Sequence, residues 1–533
     1  MKWRFGFLTI LLFIANSCSF FIEQSEKEKN AMLIDSPKLH LVFSHNISGE
    51  THPCGCRNFP LGGLPQVYGL FQDLKKSGEV FYIDTGDTFF PSSVIPETMH
   101  SSLGFGAENL ARGLDILGLK LFVPGDQDFA LGEKFLSNID DKNNFNIFVS
   151  NYTEEYKKSL NRKIENIAQI KRGHSKVFLI SLVHPEAVPY LAKNLVPPLE
   201  AMKDLVKELK NSGYEQNNPY HRLIVLSHAG IDNDVVLAEN FPMIDWIIGS
   251  HSQSFLRFSQ DIGKTKIVQT LSKNHYIGDI TIDLSLKSSD DTYMLHEIRD
   301  ELKDKASPNP MLSFIDEHKK KMNELQINEQ ARLGLSEAEI NATKFPSPNS
   351  CLECHKPQVE FWRGTAHSQA YLTLIKAHEE NNLNCVQCHS HGMNSPQGFK
   401  TTKELFLNDK KEPITNEAYR AKLKAYAESF NSLRKLSTKE IKKISRGTEA
   451  LDKQFGVKHN FSNVQCLNCH AKPVDHPFAV EETVSAANKK DMMKNKCLSC
   501  HTTDQSPEWY QANTKNLNPQ VYNAKLKEVA CPL

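Results

Sequence analysis

At 533 residues the chain is too long for one ordinary core, so two or three domains are expected. Lys plus Arg and Asp plus Glu number 63 each, so the whole chain offers no net field to nucleic acid or an anionic membrane, and nucleic acid is not expected among its partners. Of 12 cysteines, eight fall between Cys351 and Cys500.

In chain order, Met1, Lys2, Trp3 and Arg4 give a short basic start, and Phe5 to Ala15 is almost wholly apolar. This is the order of a secretory signal, assigned to 1–18. The apolar run is well short of the roughly 20 residues that a bilayer requires, and EQSEKEKN beyond it is charged, so export to the periplasm is expected. Ile14, Ala15, Asn16 and Ser17 form a loose lipoprotein cleavage pattern before Cys18. Cys18 is therefore a candidate for lipidation and membrane attachment, against ordinary cleavage that releases a soluble protein. Residues 19–37 read as a linker.

Short apolar runs follow at Leu39 (LHLVF), Val80 (VFYI), Leu119 (LKLFV), Phe145 (FNIFV), Lys176 (KVFLISL), Leu223 (LIVLS) and Asp245 (DWIIG). They are rich in β-branched and aromatic residues and bounded by polar or glycine-bearing loops, as buried strands are. Helical patterns at Gly63 to Lys76, Ala107 to Leu117 and Leu199 to Asn211 alternate with them, which predicts an α/β sandwich over 38–300. In such a fold functional groups gather on loops at strand ends. Those loops read YIDTGDTFF with Asp87, VPGDQDF with Asp126, Gln127 and Asp128, VLSHAG with His228, and IIGSHSQ with His251 and Gln253.

Taken together and in order, these loops resemble the calcineurin-like metallophosphoesterases, especially their 5'-nucleotidase branch, over Leu39 to Leu286. The resemblance implies carboxylate, amide and imidazole ligands around two metal ions that polarise phosphate and generate a hydroxide nucleophile. By it, Asp87 matches the bridging aspartate, His228 and His251 the two histidines of one metal, and Gln253 the last ligand of the other. Asp126 stands where the family has asparagine. The opening Asp-x-His motif reads Asn46, Ile47, Ser48, so Asn46 is the candidate ligand left at the second metal, and Gln127 replaces the histidine that assists the leaving group. These departures weaken two-metal ester hydrolysis. The adjoining HPCGC, with His52, Cys54 and Cys56, reads as a disulfide, with Cys531 a further candidate partner, or as a softer metal or redox site.

Residues 301–344 are charged and mostly helical in pattern and read as a connector. From 345 to 533 come four C-x-x-C-H units: Cys351, Cys354 and His355; Cys385, Cys388 and His389; Cys466, Cys469 and His470; Cys497, Cys500 and His501. Two thiols at this spacing reach the two vinyl groups of one porphyrin, and the next residue offers iron an imidazole. Zinc ribbons are the competing reading, but zinc gives no reason for a histidine after every second cysteine. Four haem c groups are expected, packed within a mainly helical domain in which the haems replace a side-chain core.

His367, His378, His391, His459 and His476 are available as sixth ligands. FWRGTAHSQAY, CLNCHAKPVDHP and CLSCHTTDQSPEW resemble a multihaem cytochrome c family that includes tetrahaem carriers, with an inserted charged helical stretch at about Asn416 to Gln454. That resemblance implies His367 and His476 as distal ligands, with His459 next. The whole is similar to exported proteins that fuse a divergent 5'-nucleotidase-like domain to such a cytochrome. Two functions are expected from this: an electron carrier served by redox partner proteins, or an enzyme, either a metal-dependent phosphohydrolase or a catalyst on a small oxyanion supplied by the haems.

Overall fold

The computed structural model describes residues 31–33, 35–53, 60–160, 164–331, 333, 345, 351–352, 354–414, 417–470, 486–511 and 515–532. The signal segment with Cys18, the pair Cys54 and Cys56, and His476 lie outside the described residues. Two compact units divide between Ile315 and Asp316, with Glu97–Ser102 grouped with the second. Among the described residues no helix is long and apolar enough to cross a membrane.

In chain order the strands of the first unit are β1 (Ala31–Leu33), β2 (Lys38–Ser44), β3 (Glu79–Asp84), β4 (Leu119–Phe122), β5 (Asn146–Ile147), β6 (Ala168–Arg172), β7 (Ser175–Val183), β8 (His221–His228), β9 (Trp246–Ile248), β10 (Gln260–Ile262), β11 (Thr265–Val268), β12 (Tyr276–Asp283) and β13 (Thr292–Glu297). They form a seven-stranded sheet, β1-β6-β7-β8-β9-β11-β10, and a six-stranded sheet, β13-β12-β2-β3-β4-β5. Strands β2 to β5 pair in parallel, as do β7, β8, β9 and β11, whereas β12 is antiparallel to β2 and β6 to β7.

Strands β7 and β8 are apolar almost throughout because both of their faces are buried. Val177, Leu179 and Val183 of β7, with Ile224 and Leu226 of β8, join the core that also holds Leu41, Phe43, Ile83 and Phe122 of the other sheet. The alternate residues Phe178, Ile180, Leu182, Leu223 and Val225 turn to a second core. That core is closed by the helix Pro198–Asn211, which starts on a proline at its first position and buries Ala201, Met202, Leu205 and Leu209 along one face. Each such side chain contributes roughly 1.5–3 kcal/mol by leaving water.

Register then positions the functional loops. Ser44 pairs with Asp84, and Asp84 with Phe122, so β2, β3 and β4 end level and release their loops at one height. In the other sheet Val183 pairs with His228 and Leu226 with Ile248, which brings the ends of β8 and β9 to a common edge.

The second unit is mainly helical. Its helices include Lys356–Trp362, Ala370–Ala377, Glu417–Glu428, Thr438–Phe455, Ala486–Leu498 and Pro519–Val529, with a short pair of strands, β14 (Phe406–Leu407) and β15 (His459–Asn460). The two helices Glu417–Glu428 and Thr438–Phe455 occupy the stretch read as an insertion. The second of them opens with a capping box between Ser437 and Glu440 and ends on Gly456 at φ 72.

One expectation is corrected here. Haems were expected to stand in for a side-chain core, yet Tyr371, Leu374, Ile375, Phe399, Phe406, Tyr419, Leu423, Ile444 and Phe461 form a buried apolar cluster. The inserted helices bring their own apolar faces, Tyr419, Leu423 and Ala427 on one and Ile441 and Ile444 on the other, and these must be covered.

Candidate functional site

Asp84 closes β3 and organises the turn after it. Its buried carboxylate accepts the Gly86 N–H at 2.9 Å and hydroxyl hydrogen bonds from Ser44 and Thr88. Burial pushes its pKa up to about 7 against those hydrogen bonds. Asp128, on the loop after β4, accepts the N–H groups of Asp87, Thr88, Phe89 and Gly125 at 2.8 to 2.9 Å and so pins the β3 and β4 loops together. Held this way, Asp87 sits at φ 58, and Asn46, Ser48, His251 and Gln253 are likewise left-handed. Five non-glycine residues in this sparsely allowed region on adjacent loops mark stored backbone strain at a functional site.

Gly86 and Gly125 let the two loops approach. A Cβ on Gly125 would run into Asp87 Oδ1 and His228 Cε1, and one on Gly86 would lie 2.5 Å from the Val123 carbonyl oxygen. The result is a tight constellation in which Asp87, Asp126, His228 and His251 each offer a ligand atom, all within 4.8 Å of one another. His228 Nε2 stands 3.6 Å from Asp87 Oδ1, and His251 Nδ1 lies 3.9 Å from Asp87 Oδ2 and 3.8 Å from Asp126 Oδ1.

The ring of His228 is oriented from behind. Its Nδ1–H donates to the Thr85 carbonyl at 2.7 Å, with Ser250 Oγ at 2.9 Å, which leaves Nε2 as the bare lone pair. Complete burial lowers its pKa to about 4, outweighing the Thr85 hydrogen bond and Asp126, so the imidazole is neutral at pH 7. His228 Nε2 and His251 Nδ1 are both buried without a hydrogen-bond partner. Asp87 is pushed up to about 8, first by burial and then by the nearby Asp126 carboxylate.

The remaining candidates stand differently. The Thr270 N–H donates to His45 Nε2 at 2.7 Å, so His45 carries its proton on Nδ1 and donates it to Asn46 Oδ1 at 2.8 Å. Asn46 Nδ2 then donates to Asp87 Oδ2 at 2.9 Å. The amide read from the sequence as a metal ligand therefore turns its oxygen to His45 and its N–H to Asp87. Gln253 lies exposed on the loop beyond His251. Ser48 Oγ reaches the Asn46 carbonyl at 3.3 Å and Gln127 Oε1 at 3.4 Å. Sequence reasoning gave no role to His45, Thr85, Asp128, Ser250 or Thr270, and only Asp128, beside the Gly-Asp turn, carried a local signal.

In the second unit all four C-x-x-C-H units adopt the same turn. The histidine N–H returns to the first cysteine carbonyl at 2.8 Å for His355, 3.2 Å for His389, 2.8 Å for His470 and 2.9 Å for His501. Such a turn sets two thiols and an imidazole on one face, at positions i, i+3 and i+4. Across the units, the Cys351 thiol pushes the pKa of Cys466 up and the Cys388 thiol draws that of Cys500 down, as neighbouring thiols do. The Ala370 carbonyl lies 2.7 Å from His389 Nδ1 and Ser506 Oγ lies 2.8 Å from His501 Nδ1.

Of the distal candidates, His367 lies with its ring centroid 6.4 Å from that of His501, and burial followed by His389 lowers its pKa. His459 sits part-buried on β15. His391, one of the available sixth ligands but not among those that the resemblance implies, is buried; Asn468 Oδ1 of the third unit lies 3.0 Å from its Nδ1, and its Nε2 has no hydrogen-bond partner. Its one sequence signal was its position two residues after His389. Among the described residues Cys531 is exposed and free of a disulfide.

Comparison with known proteins bears on both units. Residues 350–409 match the family described as cytochrome c554 and c-prime. The chain is 25% identical over 277 residues to a 5'-nucleotidase-related protein of Glossina morsitans morsitans, covering 46% of this chain and 47% of that protein. It is 26% identical over 212 residues to the uncharacterized metallophosphoesterase YunD of Bacillus subtilis (strain 168), covering 38% and 43%. The chain joins a 5'-nucleotidase-like metallophosphoesterase domain to a cytochrome c region. It spans about half the length of the curated relatives it matches. Among solved structures, the 5'-nucleotidase precursor of Thermus thermophilus aligns with a TM-score of 0.42 at 17% identity, over 56% of this chain and 59% of that one.

The metallophosphoesterase-like domain suits a divalent cation on its own chemistry. Two unpartnered imidazole nitrogens and two crowded carboxylates are a costly arrangement that one cation satisfies at a stroke. The cytochrome c region suits haem equally, since its repeated turns carry the thioether-forming thiols and the axial imidazole together.

Proposed function

We propose that this protein is an exported tetrahaem c-type cytochrome that transfers electrons, and that its 5'-nucleotidase-like domain binds a divalent metal. The observation that carries this reading is the turn shared by all four C-x-x-C-H units, in which each histidine N–H returns to the carbonyl of the first cysteine. Each such turn gathers two thiols and one imidazole for one porphyrin, and four of them within one helical unit supply the sites for a chain of haems. Bound haem supplies the one-electron iron couple. The residues of the chain do the rest. His355, His389, His470 and His501 serve as proximal ligands, with Ala370 and Ser506 orienting two of them through Nδ1. His367 and His391 are the distal ligands supported by geometry, and His476 and His459 those implied by the family resemblance. Redox partner proteins complete the circuit, and Cys18 provides a lipid attachment.

Mass spectrometry of the mature protein tests the cofactor count: four haem masses per chain are expected, and a chain without added haem mass overturns the reading. A second reading, metal-dependent hydrolysis of a phosphoric ester, draws on the unpartnered His228 Nε2 and His251 Nδ1 beside Asp87 and Asp126. Gln127 in place of the expected histidine and the turned amide of Asn46 stand against it. Turnover of generic phosphate monoesters and diesters by the metal-loaded full chain decides between scaffold and hydrolase.

A further inference from the structure

We infer that the metallophosphoesterase-like domain is a mononuclear metal site, in which a hydrogen-bond relay from Thr270 through His45 and Asn46 occupies the position of a second ion. The inference rests on the reading that this domain binds a divalent metal, and it fixes how many ions are held and by what.

The argument begins with the bridging position. A second ion sharing Asp87 needs a lone pair of Oδ2 and anionic ligands on its far side. Instead Asn46 Nδ2 directs an N–H at Oδ2 from 2.9 Å, and a hydrogen and a cation cannot occupy that lobe together. Asn46 cannot simply flip. Its Oδ1 already accepts from His45 Nδ1–H, and that proton stays on Nδ1 because His45 Nε2 accepts the Thr270 N–H at 2.7 Å. A flipped amide would oppose N–H to N–H on one side and oxygen to oxygen on the other, within a pocket where Asn46, His45 and Asp87 are all buried. The orientation is thus dictated by a backbone N–H two side chains away.

Charge points the same way. With a divalent cation bound, the four residues grouped as ligands, Asp87, Asp126, His228 and His251, supply two carboxylates and two imidazole nitrogens, enough to balance one ion. Among the described residues, Asn46, Ser48 and Gln253, which would face a second ion, contribute no charge. Relative to the family pattern, carboxylate and amide have changed places between Asn46 and Asp126, so among the described residues the carboxylates gather on one ion.

The test uses the full-length haem-loaded protein, stripped of exchangeable metal by a chelator and reloaded with manganese(II). Manganese is counted against haem iron, and the spin coupling is read by electron paramagnetic resonance. One manganese per chain with an uncoupled six-line signal is expected for the unaltered protein. The double variant N46D/S48H, which restores the carboxylate and imidazole, is expected to take two ions with an exchange-coupled spectrum. Two ions in the unaltered protein overturn the inference. A double variant that binds only one overturns the role given to Asn46. Zero in the unaltered protein, with four haems in place, overturns the reading of a metal-binding domain on which the inference rests.

Discussion

Trp509 lies flat against the imidazole of His501, with ring centroids 4.1 Å apart and planes inclined by 7°. Ser506 Oγ holds the Nδ1 edge of the same ring at 2.8 Å, so its plane is set from two directions. Trp509→Ala removes the flat wall and frees the ring to rotate. The expected result is an unchanged count of covalent haems with one low-spin ferric signal broadened and shifted in its g values. Unchanged haem signals throughout would show that the stack does not set the ligand plane.

Gly125 gives room to the proposed metal ligands by having no side chain. The Cβ of Gly125→Ala meets Asp87 Oδ1 and His228 Cε1, displacing two ligands while removing neither. Metal affinity is expected to fall about 10–100-fold, the usual cost of disturbing the support of a ligand. Competition with a fluorescent chelator measures it, and the haem spectrum serves as a control for folding of the other unit.

Arg222 and Asp291 form a fully buried ion pair at 2.9 Å, and the guanidinium also donates to the carbonyls of Asp283 and Leu286. Asp291→Ala leaves a buried cation without its counter-charge. A loss of about 3–5 kcal/mol is expected in denaturant unfolding of the first unit. Arg222→Met with Asp291→Leu, which removes both charges, is expected to recover most of it, because the penalty comes from the stranded charge.

Much of this architecture is legible in the sequence because burial on both faces of β7 and β8 leaves uninterrupted apolar runs. The level ends of β2, β3 and β4 made the strand-end loops the right place to search. Strand β12 was harder to see: Gly278 is required there because a Cβ would strike the Phe43 ring, and buried Asp279 follows it, so the apolar run is broken. The direction of the Asn46 amide was illegible because it depends on Thr270, 225 residues beyond His45. Likewise, the core among the cytochrome helices follows from pairing between inserted segments, which local periodicity does not report.

Asp279 gives a pH test away from the proposed metal ligands. Burial raises its pKa, but hydrogen bonds from His296 and His40 outweigh that and hold it below the usual carboxylate value. A carboxylate depressed in the folded state contributes stability that is present above its unfolded pKa, near 3.9, and lost as pH falls below it. Urea midpoints between pH 6 and pH 3 are therefore expected to fall more steeply at the acid end for the unaltered protein than for Asp279→Asn. Parallel curves would show that the His40 and His296 contacts do not stabilise the charged form.

His391 decides how far the buried imidazoles account for iron ligation. Its Nδ1 is held by Asn468, inside the third C-x-x-C-H unit, and its Nε2 is buried without a partner. A neutral imidazole with one nitrogen satisfied and the other bare is the form that binds metal, and burial, which lowers its pKa to about 4 despite the Asn468 hydrogen bond, keeps it neutral. His391→Ala is expected to retain four covalent haems while converting one ferric iron from low spin to high spin, visible as a new signal near g = 6 and a charge-transfer band in the red. Added imidazole is then expected to restore the low-spin spectrum by filling the cavity left behind. A fully low-spin His391→Ala protein would return the ligand role to His459 or His476 and leave His391 as a brace for the third site.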